Sequence, residues 1–591
     1  MAAPDSKLVS SHIRMFGRKA IYSILVMAVA LSFSVSLLTG NALTTRELMS
    51  ADGLWTLALM RDIFSSGGHL ADWNLAQHSD FFPDKSFGAL AYAISSQPEI
   101  WLLVFEALNL ALYFAIAWYC LWLYLRRLRK HRAPWSIALW GALAATALPP
   151  FLRVWGVFDN YFRYIGGPAH HFGSYFCGVL AAFIAIDCFE CPLNRRTIGR
   201  VAVACVLIML VALSDKLAIL IAVPGLLVAA VYVVILRRGF PPALLTCCSL
   251  FCAAVALAYV IGDPLWNSIA TITPAVPNFD QARLKRQVGL LLDALLAQRD
   301  PVERIELVGV LMPRWHDWYG LSNFIRHLDS VRTAVVAAAT LFAGSLATSC
   351  IRQAIRGRPD PASLSSDSPS ADAFIVYLVA SAVLLPMGLI AAGVLYSYGV
   401  ELYLYPVPYL ILWAALARLC QRLPATFPSS QLVLGTAATS LVMSIVPLDP
   451  TAPPFGRAPK PPLVNCLEEF AKSRDLRLGL SSHWETYPVD FWSNGQIIVR
   501  TISGDARISH WIDNYQWYAP RTDGLLFTFI IDSMYIDEPA LRERIGAPAE
   551  VLDCGTLGRG FSNRRILYYD HAGAERLTAR ITSQYSRSEY R

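Results

Sequence analysis

Apolar residues run in long blocks over most of this chain, and polar residues collect between the blocks. The first block spans Tyr22 to Gly40, followed by Trp101 to Leu125, Pro134 to Pro150, Ser174 to Phe189, Val201 to Leu213, Leu217 to Leu236 and Leu244 to Gly262. Four more lie at Thr333 to Ile351, Phe374 to Leu395, Leu402 to Leu419 and Leu432 to Val446. These runs approach the ~20 residues with which a helix crosses a bilayer. The pattern predicts a polytopic α-helical membrane protein with about 11 transmembrane helices. Two breakers sharpen the boundaries. Pro149-Pro150 is expected to end its run near the outer face, and Ser214-Asp215-Lys216 divides what would otherwise be one overlong span.

After Asp449 the long blocks stop. A Pro-rich linker, Pro450 to Pro462, leads into shorter apolar segments at Gln496 to Arg500 and Leu525 to Ile531, which read as strands, and Glu538 to Ile545 reads as a short helix. The expected organisation is a transmembrane domain over 1–447, with outer loops 41–98, 152–172 and 263–329, and a C-terminal α+β domain over 448–591. The loop 263–329 contains an amphipathic stretch, Phe279 to Leu311, suited to lying on the membrane surface, and an aromatic turn, Pro313 to Tyr319, suited to the headgroup region.

Composition agrees with the block pattern. Of 591 residues, 55% are hydrophobic and 16% charged, with mean hydropathy +0.44; a soluble chain carries roughly 25% charged residues. The net charge of +7 does not imply a nucleic-acid partner, because the basic residues sit mainly in short loops. Lys7, His12, Arg14, Arg18 and Lys19 precede the first block, which has no cleavage site behind it. Arg126 to Arg132, Arg195, Arg196, Arg200, Arg237, Arg238, Arg352, Arg356, Arg358, Arg418 and Arg422 then fall on one side of the predicted spans. The positive-inside rule places that side and the N-terminus in the cytoplasm. An odd number of spans places the C-terminal domain in the periplasm of a bacterial inner membrane.

Twelve cysteines are present, most of them in or beside apolar runs. Cys466 and Cys554, near the two ends of the C-terminal domain, are open to either reading, a disulfide or two buried thiols. Cys188 and Cys191 have CxxC spacing at a cytoplasmic helix end but no second pair, which makes the motif a weak signal.

Candidate chemistry gathers in the outer loops. Ser50-Ala51-Asp52-Gly53 follows the first span directly, and a carboxylate at a membrane boundary is expensive unless it is used. Asp52 is the leading candidate for a base; the bland alternative is an N-cap for Leu54 to Ile63. Asp80 and Asp84 flank Phe81-Phe82-Pro83, a rigid turn that either brings one of them to a cleft or leaves them solvated. In the second loop Asp159, Arg163, His170 and His171 form a dense polar and aromatic cluster. Adjacent histidines do not present both rings to one ion on a helix, so hydrogen bonding is their expected use. A metal site there would also recruit Asp159 and Asp52; the reading assigns no cofactor. Lys216, at an outer turn, is a candidate cation for a phosphate, or else braces the turn against Asp215.

An acidic first outer loop, many spans and an outer C-terminal domain together resemble the GT-C superfamily of membrane glycosyltransferases, such as the protein mannosyltransferases and aminoarabinose transferases. The resemblance covers the topology of most of the chain and places Asp52 at the position of the family's loop carboxylate. Many members have two adjacent acids there, where this chain has Asp52-Gly53. It implies a polyprenyl-phosphate sugar donor, a lipid, glycan or protein acceptor, and a phosphate site near the opening of a late span. There Tyr403 and Pro406 fit the pattern, while Glu401 stands where a cation is expected. No Gly-rich phosphate loop follows a strand, which disfavours a nucleotide-dependent enzyme. The alternatives are a transporter or flippase of a lipid-linked glycan, without visible repeated halves, and a glycan polymerase or ligase.

Overall fold

The computed structural model describes residues 51–75, 81–129, 135–154, 171–237, 239–272, 369–392, 404–423 and 460–585, except 475, 510–511, 521–522, 534 and 556–562. The blocks Tyr22 to Gly40, Thr333 to Ile351 and Leu432 to Val446, and the amphipathic stretch Phe279 to Leu311, lie outside them.

The described chain opens with helix α1 (Ala51–Ser65), strand β1 (Trp73–Leu75), a turn over Phe81–Lys85 with a cis Phe82–Pro83 bond, and helix α2 (Ser86–Ile94). The bundle follows: α3 (Pro98–Arg129), α4 (Trp135–Val154), α5 (Phe172–Cys188), α6 (Arg195–Ser214), α7 (Ile219–Arg237) and α8 (Pro242–Ile269). Strand β2 (Thr271–Ile272) and helices α9 (Pro369–Ala392) and α10 (Pro406–Arg422) complete it. Among the described residues, five helical segments are long and apolar enough to cross a membrane, on α3, α6, α7 with the turn before it, α8 and α9. Apolar side chains such as Val206 on α6, Val231 on α7 and Leu257 and Val260 on α8 are exposed. In water such a surface would be unstable; facing lipid it needs no cover.

Small residues let the helices approach. A Cβ on Gly225 of α7 would collide with Ser381 of α9, and the Ser381 hydroxyl donates to the Ile221 carbonyl at 2.8 Å. Helix α4 corrects the expected break at Pro149-Pro150, since it continues to Val154. Pro149 has no N–H for the Ala145 carbonyl, four residues back. The Tyr113 hydroxyl donates to that carbonyl instead, at 3.1 Å, so the vacancy in the helix ladder is filled from α3.

The C-terminal part contains α11 (Pro462–Ala471), β3 (Leu478–Ser481), α12 (His483–Trp492), β4 (Ile498–Ser503), β5 (Arg507–Ile508), β6 (Asp513–Asn514) and β7 (Phe529–Ile531). It ends with α13 (Glu538–Ile545), β8 (Glu550–Asp553), β9 (Arg565–Tyr568) and α14 (His571–Thr582). A mixed six-stranded sheet has the order β5-β4-β3-β7-β9-β8, with β3 parallel to both β4 and β7. Cys466 and Cys554 are bonded, with Cα atoms 5.4 Å apart. Glu485 and Arg564 form a buried ion pair at 2.7 Å, with the Ser482 hydroxyl also donating to Glu485.

The membrane helices and the C-terminal domain are joined by backbone and core. Strand β1 of the first loop pairs parallel with β2, after α8, and antiparallel with β6 of the C-terminal domain. Asp62 of α1 accepts from the indole of Trp73 at 2.8 Å, the amide of Asn514 at 2.7 Å and the indole of Trp517 at 3.3 Å. A single core contains Trp55, Trp73, Trp101 and Phe105 from the loop side with Tyr487, Trp492 and Phe529 from the domain. Helix α3, about 48 Å long at 1.5 Å per residue, outruns the ~30 Å hydrocarbon layer. Its first turns pack in this core and the remainder in the bundle core.

Candidate functional site

The described cations of the bundle helices gather mostly at one end. Arg126, Arg127 and Arg200 surround Asp187, at 2.6, 2.7 and 3.0 Å. Arg237 pairs with Glu190 at 2.5 Å and Arg418 with Asp372 at 2.9 Å. The opposite end, beneath the C-terminal domain, carries a different set of polar groups.

That end is built where four chain segments meet. Helix α6 stops at Ser214 and Asp215 is extended, so that α7 begins a turn later. Asp215 accepts from the Leu217 N–H at 2.9 Å, capping that turn. Its other oxygen lies 2.7 Å from Nδ1 of His171, and both side chains are buried. His171 adopts the left-handed region at φ 66° and leads into α5, where its ring stacks on Tyr175 at 5.4 Å. Nδ1 is thus the ring nitrogen that engages the carboxylate of Asp215.

The turn Phe81–Lys85 rests on the same two helices. The Phe82 N–H donates to the Ser214 hydroxyl at 2.8 Å, and the Phe82 carbonyl accepts from the Ser174 hydroxyl at 2.9 Å. Asp84 is buried against the first turn of α5; a Cβ on Gly173 would collide with the Pro83 ring and lie 3.2 Å from Asp84 Oδ1. A carboxylate there is favoured by the positive end of the helix dipole. Lys85 is buried too, donating to Thr56 Oγ1 at 2.8 Å with its ammonium 3.6 Å from the Trp55 ring centre. This seat substitutes an aromatic face and a hydroxyl for water.

Aromatic rings floor the site. Tyr113, Phe172, Phe176, Tyr405, Tyr409 and Trp413 form a contiguous cluster, and the Trp413 indole donates to the Tyr113 hydroxyl at 2.8 Å. On α3, Glu106 and Asn109 are buried one turn apart where the two cores meet. The Asn109 amide has no hydrogen-bond partner among the described residues. Unpaired amide groups at such a place are costly, and sequence reading did not single them out; a Glu-x-x-Asn pair inside an apolar block was the signal available.

The candidates named from sequence fall as follows. Asp84 and His171 come together with Ser174, Ser214 and Asp215. Asp52 lies in α1 at this end, with its side chain outside the described residues. Lys216 is 40% exposed and pairs with Asp263 of α8 at 2.5 Å, 5.1 Å from the Tyr259 ring centre. It does not brace the turn against Asp215, which points inward to His171. Asp80, Asp159, Arg163, His170, Glu401 and Tyr403 lie outside the described residues. No group of three or more His, Cys, Asp or Glu arranged to hold a metal occurs among the described residues.

In the C-terminal domain, burial pushes the Asp513 carboxyl up to about 7, against the lowering influence of Tyr518 and Arg500. Burial likewise raises Asp490, although Arg500 pairs with it at 3.0 Å. Arg500 also lies over the Trp517 ring at 3.7 Å, beside the Asp62 junction.

No family model matches this chain, and no curated protein matches it. The chain is similar to the crystal structure of an Archaeoglobus fulgidus oligosaccharyltransferase in complex with zinc and sulfate, at 13% identity. That match covers 88% of this chain and 71% of the other, with a TM-score of 0.41.

Proposed function

We propose that this chain is a membrane glycosyltransferase of the GT-C type. In this reading it moves a sugar from a polyprenyl-phosphate donor to a hydroxyl of a lipid, glycan or protein acceptor. The reaction takes place at the periplasmic face of a bacterial inner membrane. The observation that carries the reading is the convergence of Asp84, His171 and Asp215, with α1 and its Asp52, at the end of an apolar bundle roofed by the C-terminal domain. The sequence resemblance supplies the reaction class. The disulfide in the C-terminal domain supports an oxidising compartment on that side, and the arginine-rich end supports a cytoplasmic location for the other.

Transfer breaks the bond between the sugar's anomeric carbon and the phosphate oxygen, and forms a bond from the acceptor oxygen to that carbon. The acceptor proton passes to a carboxylate base, and the polyprenyl phosphate departs. Asp52 is the proposed base, with Asp84 and Asp80 as the other carboxylates that stabilise the positive charge developing on the sugar. Lys216 and Arg163 would neutralise the donor phosphate. His170 and Asp159 would hold sugar hydroxyls, Tyr403 and Glu401 would line the donor's approach, and His171, buried against Asp215, would support the site from behind. No cofactor is assigned.

A transporter would thread polar groups along a central pathway. Among the described residues, ion pairs of the bundle collect at its two ends, which favours transfer over transport. The test uses the full chain reconstituted in vesicles with a labelled polyprenyl-phosphate monosaccharide and a panel of acceptors. Release of polyprenyl phosphate with label on an acceptor is the expected result. Movement of intact sugar lipid between leaflets, with no release, would replace this reading with the flippase.

A further inference from the structure

His171, Gly173, Ser174, Ser214 and Asp215 were separated by sequence into a loop end, a helix start and a turn, yet they converge on one backbone unit. Both polar groups of Phe82 are held, its N–H by Ser214 and its carbonyl by Ser174. Ser174 stands three residues after His171 on the first turn of α5, and Ser214 immediately precedes Asp215. The His171–Asp215 contact, at 2.7 Å and fully buried, therefore ties together the two helix ends that carry the serines. Gly173 completes the seat, since any side chain there would strike Pro83.

We propose that the His171–Asp215 pair and the two serines form a clamp whose purpose is to position Asp84. The clamp acts through the Phe82 backbone and not by contact with substrate, so its members are positioning residues. The logic is geometric. Asp84 follows Phe82 by two residues, across Pro83, whose ring limits the backbone between them. Fixing both hydrogen-bonding groups of Phe82 thus fixes the direction from which the Asp84 carboxylate emerges. A loop carboxylate set on rigid helix ends keeps its place with a precision that solvated loops lack. The buried ion-type contact is suited to a register role, since losing one partner leaves the other uncompensated.

This inference rests on the proposed role of Asp84 in transfer, and the experiment separates the two. Hydrogen exchange of the segment around Phe82 is measured on the full chain in detergent, alongside kcat and donor KM in vesicles. The variants are Ser214→Ala, Ser214→Thr, Asp215→Ala and Asp84→Asn. Ser214→Ala and Asp215→Ala should speed exchange of the Phe82 amide and lower kcat by roughly tenfold or more, with donor KM within about twofold. Ser214→Thr, which keeps the hydroxyl, should restore both. Unchanged exchange in Ser214→Ala and Asp215→Ala overturns the clamp. Faster exchange with unchanged kcat overturns its positioning role and leaves it purely structural. Full turnover by Asp84→Asn overturns the reading of Asp84 instead, whatever the exchange shows. A melting curve for each variant identifies any that fails to fold, and for Asp215 the substitution Asp215→Asn then takes its place.

Discussion

The two ends of the helix bundle bury the same kinds of residue and treat them in opposite ways. At one end Asp187 is ringed by Arg126, Arg127 and Arg200 and is 1% exposed. At the other, Asp215 is equally buried, and its partners are a histidine and a backbone N–H. A carboxylate surrounded by guanidiniums has its oxygens taken up by charge-assisted hydrogen bonds, and so braces the helices that carry them. Asp215, held by one imidazole and one backbone N–H, has no guanidinium or ammonium partner among the described residues. Cationic saturation marks the structural end, and its absence from Asp215 marks the end where chemistry is proposed.

If that contrast holds, damage at the two ends should differ in kind. The largest effect is expected at Asp52. Asp52→Asn should lower turnover by roughly 10²–10⁴-fold, the usual contribution of a positioned acid or base, with expression and melting temperature retained. Near-normal turnover by the folded variant would remove Asp52 from the mechanism.

A third buried carboxylate sharpens the comparison from outside the bundle. Asp513 rises from an ordinary 3.8 to about 7 because burial disfavours its charge. A raised acid is held more tightly by protons when folded, so its contribution to stability is complete below about pH 4 and is lost as pH rises through 7. Asp513→Asn should therefore stabilise the full chain at pH 8, by on the order of 4 kcal/mol, with the gain vanishing near pH 4. Melting curves at the two pH values check this. Equal stability at pH 8 would mean that Asp513 is better compensated than its surroundings indicate.

The smallest effect is expected at Lys216. Its exposed pairing with Asp263 contributes little to stability, which leaves the ammonium available to exchange partners. Lys216→Ala should raise the donor KM on the order of tenfold, equivalent to ~1.4 kcal/mol, and leave acceptor dependence unchanged. Lost thermal stability with unchanged donor KM would assign Lys216 to bracing α8, and Arg163 would become the candidate cation.

Apolar blocks made the membrane helices legible, because a segment as apolar as Leu217 to Leu236 has few alternatives. Ser214-Asp215-Lys216 also marked its break, since an acid and a cation interrupt two apolar runs. Glu538 to Ile545 was readable as a helix from local signals, and α13 has those bounds. The strands were seen only in part: Gln496 to Arg500 became Ile498–Ser503, and Leu525 to Ile531 shortened to Phe529–Ile531. The three-stranded sheet of β1, β2 and β6 was invisible, because strands of two or three residues carry no period and are selected by tertiary pairing. The site shows the same limit. Asp84 and His171 stood out as polar residues in aromatic loops, but the partner of His171 is Asp215, which reads locally as a mate for Lys216. Pairings across 44 and 47 residues, His171 to Asp215 and Lys216 to Asp263, leave no trace in a single sequence. The helical continuation through Pro149 was missed for a related reason, as it depends on the Tyr113 hydroxyl from another helix.

The most direct test compares one carboxylate from each end in the same vesicles. Asp84→Asn and Asp187→Asn are each assayed for sugar transfer and for thermal stability. The account predicts that Asp84→Asn loses transfer while its melting temperature changes little. Asp187→Asn should melt at lower temperature and, below that temperature, turn over at a near-native rate. The reverse pattern, or equal loss of transfer at both ends, would contradict the division of the bundle into a structural end and a chemical one.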